Sequence, residues 1–186
     1  AQAAAYAMGR AMDDVIIAAA TGTAYTGETG TGTESAQTAI AASVGSTTGL
    51  NIPKLAKAKE TFDLSDVDPS IARHIIVSPE QINNLLNVTE VTSSDFNTVK
   101  ALVQGEIDTF LGFKFTVSNR LAKSGNDRTC IAFAQDGITL GVGKDVSARI
   151  DERADKSYAT QVYYCMSIGA TRMEQAKVIG ITCTEA

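Results

Sequence analysis

The stretch QGEIDTFLGFKFTVSNRL, Gln104 to Leu121, decides how this chain is read. Phe113, Phe115 and Val117 alternate with Lys114, Thr116 and Ser118, the period of two that sends successive side chains to opposite faces of a strand. Gly105 and Gly112 punctuate it, so the segment reads as a β-hairpin or a bent strand. It carries no obvious nucleophile, base or metal ligand. A segment built this way contributes shape rather than chemistry.

Elements of both kinds flank it. Residues 1–20 form a helix by propensity, with Met8, Met12, Val15 and Ala19 on one buried stripe that Ile16 widens. Arg10 and Asp14 are spaced to pair on its exposed side. Residues 21–50 are rich in Gly, Thr, Ser and Ala and read as a long flexible loop or loose hairpin, with a short helix or strand over Ser35–Ser43. Asn51 and Pro53 open a helix through Phe62, and Lys54, Lys57 and Lys59 give it a solvated basic face. The cluster DLSDVDPS, Asp63–Ser70, is a solvated turn. ARHIIVSP, Ala72–Pro79, is a strand, and Ser78-Pro79 caps and starts a short helix to Asn87. A second short helix is expected over Thr92–Gly105. After the central stretch come a buried strand at Arg128–Ala134, a Gly-punctuated short helix or turn at Gln135–Asp145, and a strand at Val146–Arg153. A longer strand at Tyr158–Glu174, bent or bulged at Gly169, and a closing strand at Ala176–Glu185 complete the order. The pattern is α+β.

Composition excludes several functions. The chain has 186 residues, net charge −5 and 44% hydrophobic residues, an ordinary globular balance. Its acidity, with a pI near 4.9, argues against a sequence-reading nucleic-acid binder. VIIAAA, Val15–Ala20, is far short of the roughly 18 apolar residues of a membrane span. The N-terminus has neither an initiator Met nor a basic segment leading into an apolar core, so the chain is expected to begin inside a longer product. Cys130, Cys165 and Cys183 are too far apart for a CxxC motif and read as buried reduced thiols.

The search for chemistry returns nothing. The single histidine, His74, lies between Arg73 and two isoleucines in a strand and reads as structural. GITLGVGKD, Gly137–Asp145, fails as a phosphate loop. The position five before Gly143 is Ile138, and an Asp follows Lys144. DLSDVD, Asp63–Asp68, has the wrong spacing for a calcium loop, and Pro69 replaces the glycine. No catalytic, cofactor-binding or metal-ligating residue is assigned, and no cofactor is expected.

Four segments carry a resemblance. AMGRAMDDVIIAAATGTA (Ala7–Ala24), RHIIVSPEQINNLL (Arg73–Leu86), LVQGEIDTFLGFKFTVSNRL (Leu102–Leu121) and YATQVYYCMSIGATRMEQAKVIGITC (Tyr158–Cys183) occur in this order. Together they resemble the major capsid proteins of tailed bacteriophages with the Hong Kong 97-type fold, and most closely the podovirus-like branch. Within them Gly9, Arg10, Asp13, Ile16 and Ile17, and later Val162, Gly169, Ala170, Arg172 and Val178, stand at the matching positions.

The resemblance implies a layout. Residues 1–20 would be the spine helix of a peripheral domain and 21–50 a flexible loop. Residues 51–140 would build an axial domain, 141–175 the long peripheral strands, and 176–186 the closing strand of the axial sheet. Gly105 and Gly112 would bend the axial strand, and Ile107, Phe110, Phe113, Phe115 and Val117 would fill its core. The family's N-terminal arm and extended hairpin loop would precede this chain.

Function would be self-assembly into pentamers and hexamers of an icosahedral head enclosing double-stranded DNA, without sequence-specific binding, membrane or enzymatic activity. Portal and scaffolding proteins, and in some heads decoration proteins, would be partners. The protein would be made in the host cytoplasm and reside in the virion. Candidate inter-subunit contacts are Tyr25, Glu28, Arg149, Asp151, Glu152 and Arg153. The alternatives are an encapsulin-type compartment shell and a small α+β ligand-binding or hydrolase domain, which would need a polar pocket.

Overall fold

Side-chain caps start two of the helices. In the computed structural model, which describes residues 2–34, 38–45, 48–87 and 109–185, Asn51 is extended and its Oδ1 accepts the Lys54 N–H at 2.9 Å. Pro53 in the first turn then commits the chain to α2, Ile52–Leu64. Ser78 repeats the device. Its Oγ accepts the Gln81 N–H at 3.4 Å, and Pro79 opens α3, Pro79–Leu86. In the central stretch, β5 (Thr109–Phe110) and β6 (Phe113–Val117) form a hairpin closed by Leu111 and Gly112. Both turn residues have positive φ, 51° and 85°, as a two-residue hairpin turn of the right twist requires. Gly105, Ile107 and the helix expected over Thr92–Gly105 lie outside the described residues.

β6 joins a seven-stranded sheet with β3 (Thr38–Ile40), β4 (Arg73–Val77), β8 (Asp127–Ala134) and β11 (Val178–Thr184), in the order β3-β11-β8-β4-β6-β5. The short β7, Lys123–Ser124, pairs with β8 off that path. β4 runs parallel to β6 and β3 parallel to β11, and the other pairs are antiparallel. Ile75 stands beside Phe115 and Ala132, and Ala132 beside Ile179, which fixes one face of the sheet. Leu55, Ala58 and Phe62 of α2 belong to the same core, with the Phe62 and Phe113 rings 6.1 Å apart. Burying each such side chain contributes roughly 1.5–3 kcal/mol. On the opposite face His74 stacks on Phe133 with centroids 5.5 Å apart, the structural role its setting implied.

Several local expectations change. Phe110 and Phe113 are buried and Phe115 half-buried, but Val117 is 56% exposed. It ends its strand at an open cleft of about 250 Å³ lined by Ile16 and Ile17. Lys54 is not on a solvated face but fully buried, donating to the Thr48 and Gly49 carbonyls at 2.7 and 2.8 Å. Burial pushes its ammonium below the usual lysine range. Asp63 is half exposed yet pairs at 2.8 Å with Arg73, which is buried over the Phe62 ring. Asp68 accepts the Ser70 N–H, which lowers its carboxyl.

Outside the sheet, β9 (Ile138–Arg153) and β10 (Ala159–Arg172) form an antiparallel two-stranded ribbon of 16- and 14-residue strands. α1, Gln2–Thr21, packs on it. The stripe of Met8, Met12, Val15, Ile16 and Ala19 is only half-buried, because the layer beneath is two strands wide, and Ile17 and Ala20 are the buried residues. Asp14 pairs with Arg120, after β6, and not with Arg10. Gln135–Asp145 is neither helix nor turn over most of its length, since β9 begins at Ile138 and pairing with β10 holds it extended. The bulge falls between Cys165 and Ile168, not at Gly169, which sits in register opposite Gly141. The segment 21–50 contains a small hairpin, β1 (Ala24–Thr26) with β2 (Gly32–Glu34), and then β3.

Two buried ionic groups hold these parts. Arg172, at the base of the ribbon, donates to the Ala20 carbonyl at 3.2 Å, to that of Gly22 at 2.9 Å and to that of Glu34 at 3.4 Å. It thereby caps α1 and fixes the β1–β2 hairpin. Glu185, just past β11, accepts the Ser78 hydroxyl at 2.8 Å and lies 3.0 Å from Lys123 Nζ and 2.6 Å from Arg128 Nε. Burial raises the Glu185 carboxyl, but Lys123, Ser78 and Arg128 outweigh it and bring it down from 4.5 to about 2.

A depressed carboxyl stabilises the fold above its unfolded pKa and loses that effect as pH falls. Glu185 therefore contributes roughly 3 kcal/mol at neutral pH, declining between pH 4.5 and about 2. Glu185→Gln should lower the unfolding free energy by roughly 2–3 kcal/mol at pH 7, with the deficit narrowing across that window in chemical denaturation. Arg172→Leu should cost roughly 2–4 kcal/mol and open residues 2–34 to proteolysis, and Arg172→Lys should recover only part of the loss.

Candidate assembly surfaces

The ribbon is the part of the molecule whose residues are least used by its own core. Its strands pair only with each other among the described residues, so each leaves a free edge. An isolated two-stranded ribbon is marginal in water unless something covers it. At about 3.3 Å per residue it reaches roughly 40 Å from Arg172 to its tip. There Ala154–Lys156 form a single 3₁₀ turn, and Ser157 and Tyr158 both have positive φ, 52° and 59°. A tyrosine bears a steric cost in that conformation, offset here by its N–H donating to the Arg153 carbonyl at 3.0 Å.

Beyond the bulge the pleat sorts the side chains. Arg149 stands opposite Tyr163, Asp151 opposite Gln161 and Arg153 opposite Ala159, which makes one face polar. Ala148 stands opposite Tyr164 and Ile150 opposite Val162, which makes the other largely apolar, with Glu152 opposite Thr160 at its outer end. Ile150 is 68% exposed and Val162 47%. Cys165, expected to be a buried thiol, is half-exposed near the polar face. The Ser147 hydroxyl at 2.9 Å, and then Lys144 at 3.2 Å, lower its thiol. Cys130 and Cys183 are buried, as their apolar settings imply.

The six candidate contact residues fall into two groups. Arg149, Asp151, Glu152 and Arg153 are exposed near the ribbon tip, where Arg153 Nε donates to Asp155 at 2.9 Å. Tyr25 and Glu28 are exposed on the β1–β2 hairpin, whose Glu34 is held at the ribbon base by Arg172. The two groups therefore lie on different elements, the ribbon tip and the β1–β2 hairpin. Sequence reading missed Ile150 and Val162, because alternation marks the two faces of a strand without saying which is covered. It also gave Arg172 no role, although an arginine on an otherwise apolar strand end is a signal for a helix-end or ion-pair partner.

No group of three or more His, Cys, Asp or Glu among the described residues could hold a metal, and no helix among them is long and apolar enough to cross a membrane.

No curated protein matches the chain in sequence. Solved structures do. A chain from Mycobacterium phage Che8 superposes with TM-score 0.68 at 18% identity, over 97% of this chain and 61% of its own. The capsid of the cyanophage P-SCSP1u gives 0.63 at 14%, over 100% and 66%. The capsid of an empty GTA particle gives 0.69 at 12%, over 98% and 64%. The chain thus has the Hong Kong 97-type fold and spans between three-fifths and two-thirds of the length of these chains. The family model described as phage capsid protein matches residues 1–185, and the chain belongs to the phage capsid protein family.

Proposed function

We propose that this protein is the coat subunit of a phage head. Its copies form hexamers and pentamers of an icosahedral shell around double-stranded DNA. The observation that carries the reading is the long two-stranded ribbon with an uncovered apolar face, held rigidly to α1 and to the β1–β2 hairpin by Arg172. Such a face is stable in water when a neighbouring copy covers it. In this reading α1 and the ribbon form the peripheral domain and the seven-stranded sheet with α2 and α3 the axial domain. The ribbon tip, with Arg149, Asp151, Glu152 and Arg153, and the hairpin, with Tyr25 and Glu28, touch different neighbours. Net charge −5 suits a wall that holds DNA without gripping it. Portal and scaffolding proteins, and decoration proteins where present, are the further partners the reading calls for. Synthesis would take place in the host cytoplasm.

Negative-stain electron microscopy of the full-length protein tests this directly, and closed shells of uniform diameter are expected. Shells enclosing protein in place of DNA would favour the compartment alternative. The double variant Ile150→Asp, Val162→Asp should keep its circular dichroism and lose shells, raising the concentration needed for assembly at least tenfold. Unchanged assembly by that variant would remove the ribbon face from the contact.

A further inference from the structure

The two buried cysteines are close neighbours. Cys130 on β8 stands opposite Ile181, and Cys183 on β11 stands opposite Arg128, so they share a face of the sheet and lie on a diagonal. Both thiols are free and fully buried. Lys54 reaches the same place from α2. Its buried ammonium is held on the Thr48 and Gly49 carbonyls, near enough for its charge to lower the Cys183 thiol. None of this is needed to fill a core, where a valine or alanine would serve.

We propose that Cys130 and Cys183 form an oxidisable pair that hydrogen peroxide closes into a disulfide joining β8 to β11. The two sulfurs are not equivalent. The Cys130 thiol beside it, and then the Lys54 charge, lower the Cys183 thiol, whereas the Cys183 side chain and burial raise Cys130. Cys183 is therefore the attacking sulfur. Its thiolate attacks one peroxide oxygen, the O–O bond breaks and hydroxide leaves, giving Cys183 sulfenic acid. Cys130 then attacks that sulfur, the S–O bond breaks and water leaves. Two thiols and one peroxide become one disulfide and two waters.

Access needs the end bearing Cys183 to open. Among the described residues β3 pairs with β11 only over Ile179–Ile181. Past it the Thr184 N–H donates to the Thr48 carbonyl and Glu185 is tied to Ser78, Lys123 and Arg128, so peroxide reaches Cys183 when these contacts part. Diagonal Cα atoms are about 7–8 Å apart and disulfides span up to about 6.8 Å, so closure draws the strands together by about 1 Å. The loop it closes, between residues 130 and 183, contains the whole ribbon. The bond would pin both roots of the proposed contact surface. For a shell assembled in a reducing cell and released into an oxidising medium, this would be a lock set after assembly. That role, though not the chemistry, rests on the coat-subunit reading.

The test uses full-length Cys165→Ser protein, both as shells and as free subunits. It is treated with hydrogen peroxide, quenched with catalase, unfolded in N-ethylmaleimide and weighed. The proposal expects a loss of two hydrogens, no maleimide adduct, a linked peptide joining Cys130 to Cys183, and a raised thermal midpoint that dithiothreitol reverses. In Cys130→Ser, Cys183 should stop at sulfenic acid, captured by dimedone. Two maleimide adducts after treatment, or Cys183 over-oxidised beside a free Cys130, would overturn it. Shells without the disulfide would sink the lock and leave the coat reading standing. The disulfide in a protein that never assembles would do the reverse.

Discussion

One guanidinium joins the pieces that stand outside the sheet. α1 has no basic residue in its last turn, so its terminal carbonyls look for a partner elsewhere in the chain. Arg172 supplies it from the far end of the sequence and, with the same fork, reaches the β1–β2 hairpin. A lysine offers one point of charge and could not span the three carbonyls. Because Arg172 is also the last residue of β10, opposite Ile138, it sets the angle at which the ribbon leaves the molecule. In the coat-subunit reading, whatever the ribbon would present to a neighbour is referred to that joint.

The sheet has its own centre of charge, built on the opposite sign. Glu185 gathers Ser78 from the β4–α3 junction, Lys123 from β7 and Arg128 from β8. Its backbone N–H also donates to the Asn126 carbonyl at 2.7 Å. These partners come from two places along the chain, the β4–α3 junction and the β7–β8 hairpin, so with Glu185 they tie three distant segments together. Lys54 does the equivalent for the segment before α2, satisfying the Thr48 and Gly49 carbonyls that would otherwise be buried without donors. Neither network explains assembly. Both explain how a small sheet stays rigid enough to carry a long projection.

Elements set by neighbouring residues were legible in the sequence, and those set by distant ones were not. Asn51 with Pro53, and Ser78 with Pro79, announced their helices because a cap is local chemistry. The Leu111–Gly112 turn was legible for the same reason. Gln135–Asp145 was misread because its glycines weaken a strand in isolation, whereas here Gly141 meets Gly169 and the ladder with β10 decides. Gly169 was the obvious place for a bulge. The irregularity lies instead where β9, from Val142 to Ser147, runs two residues longer than β10 from Cys165 to Ile168, in two successive register shifts. Lys54 reads as surface in the sequence because it shares a short stretch with Lys57 and Lys59, and only the fold shows that it points inward. The six candidate contact residues rest on exposure alone, which is why they divide between two elements.

A free-edged ribbon carrying exposed Ile150 and Val162 is also a hazard, since any other strand could pair with it. The charges answer that hazard. Along the polar face Arg149, Asp151 and Arg153 alternate in sign at every second residue. A partner strand that slips by two residues meets each charge with the wrong sign, and one that slips by one residue turns its apolar side chains toward this polar face. Slips of one or two residues therefore fail on one face or the other. In the proposed shell the mixed-sign tip and the apolar face beneath it would work together: the second would supply the area to be buried, and the first would restrict which contact can bury it. In a shell built from many copies of one chain, that restriction matters more than the strength of any single contact.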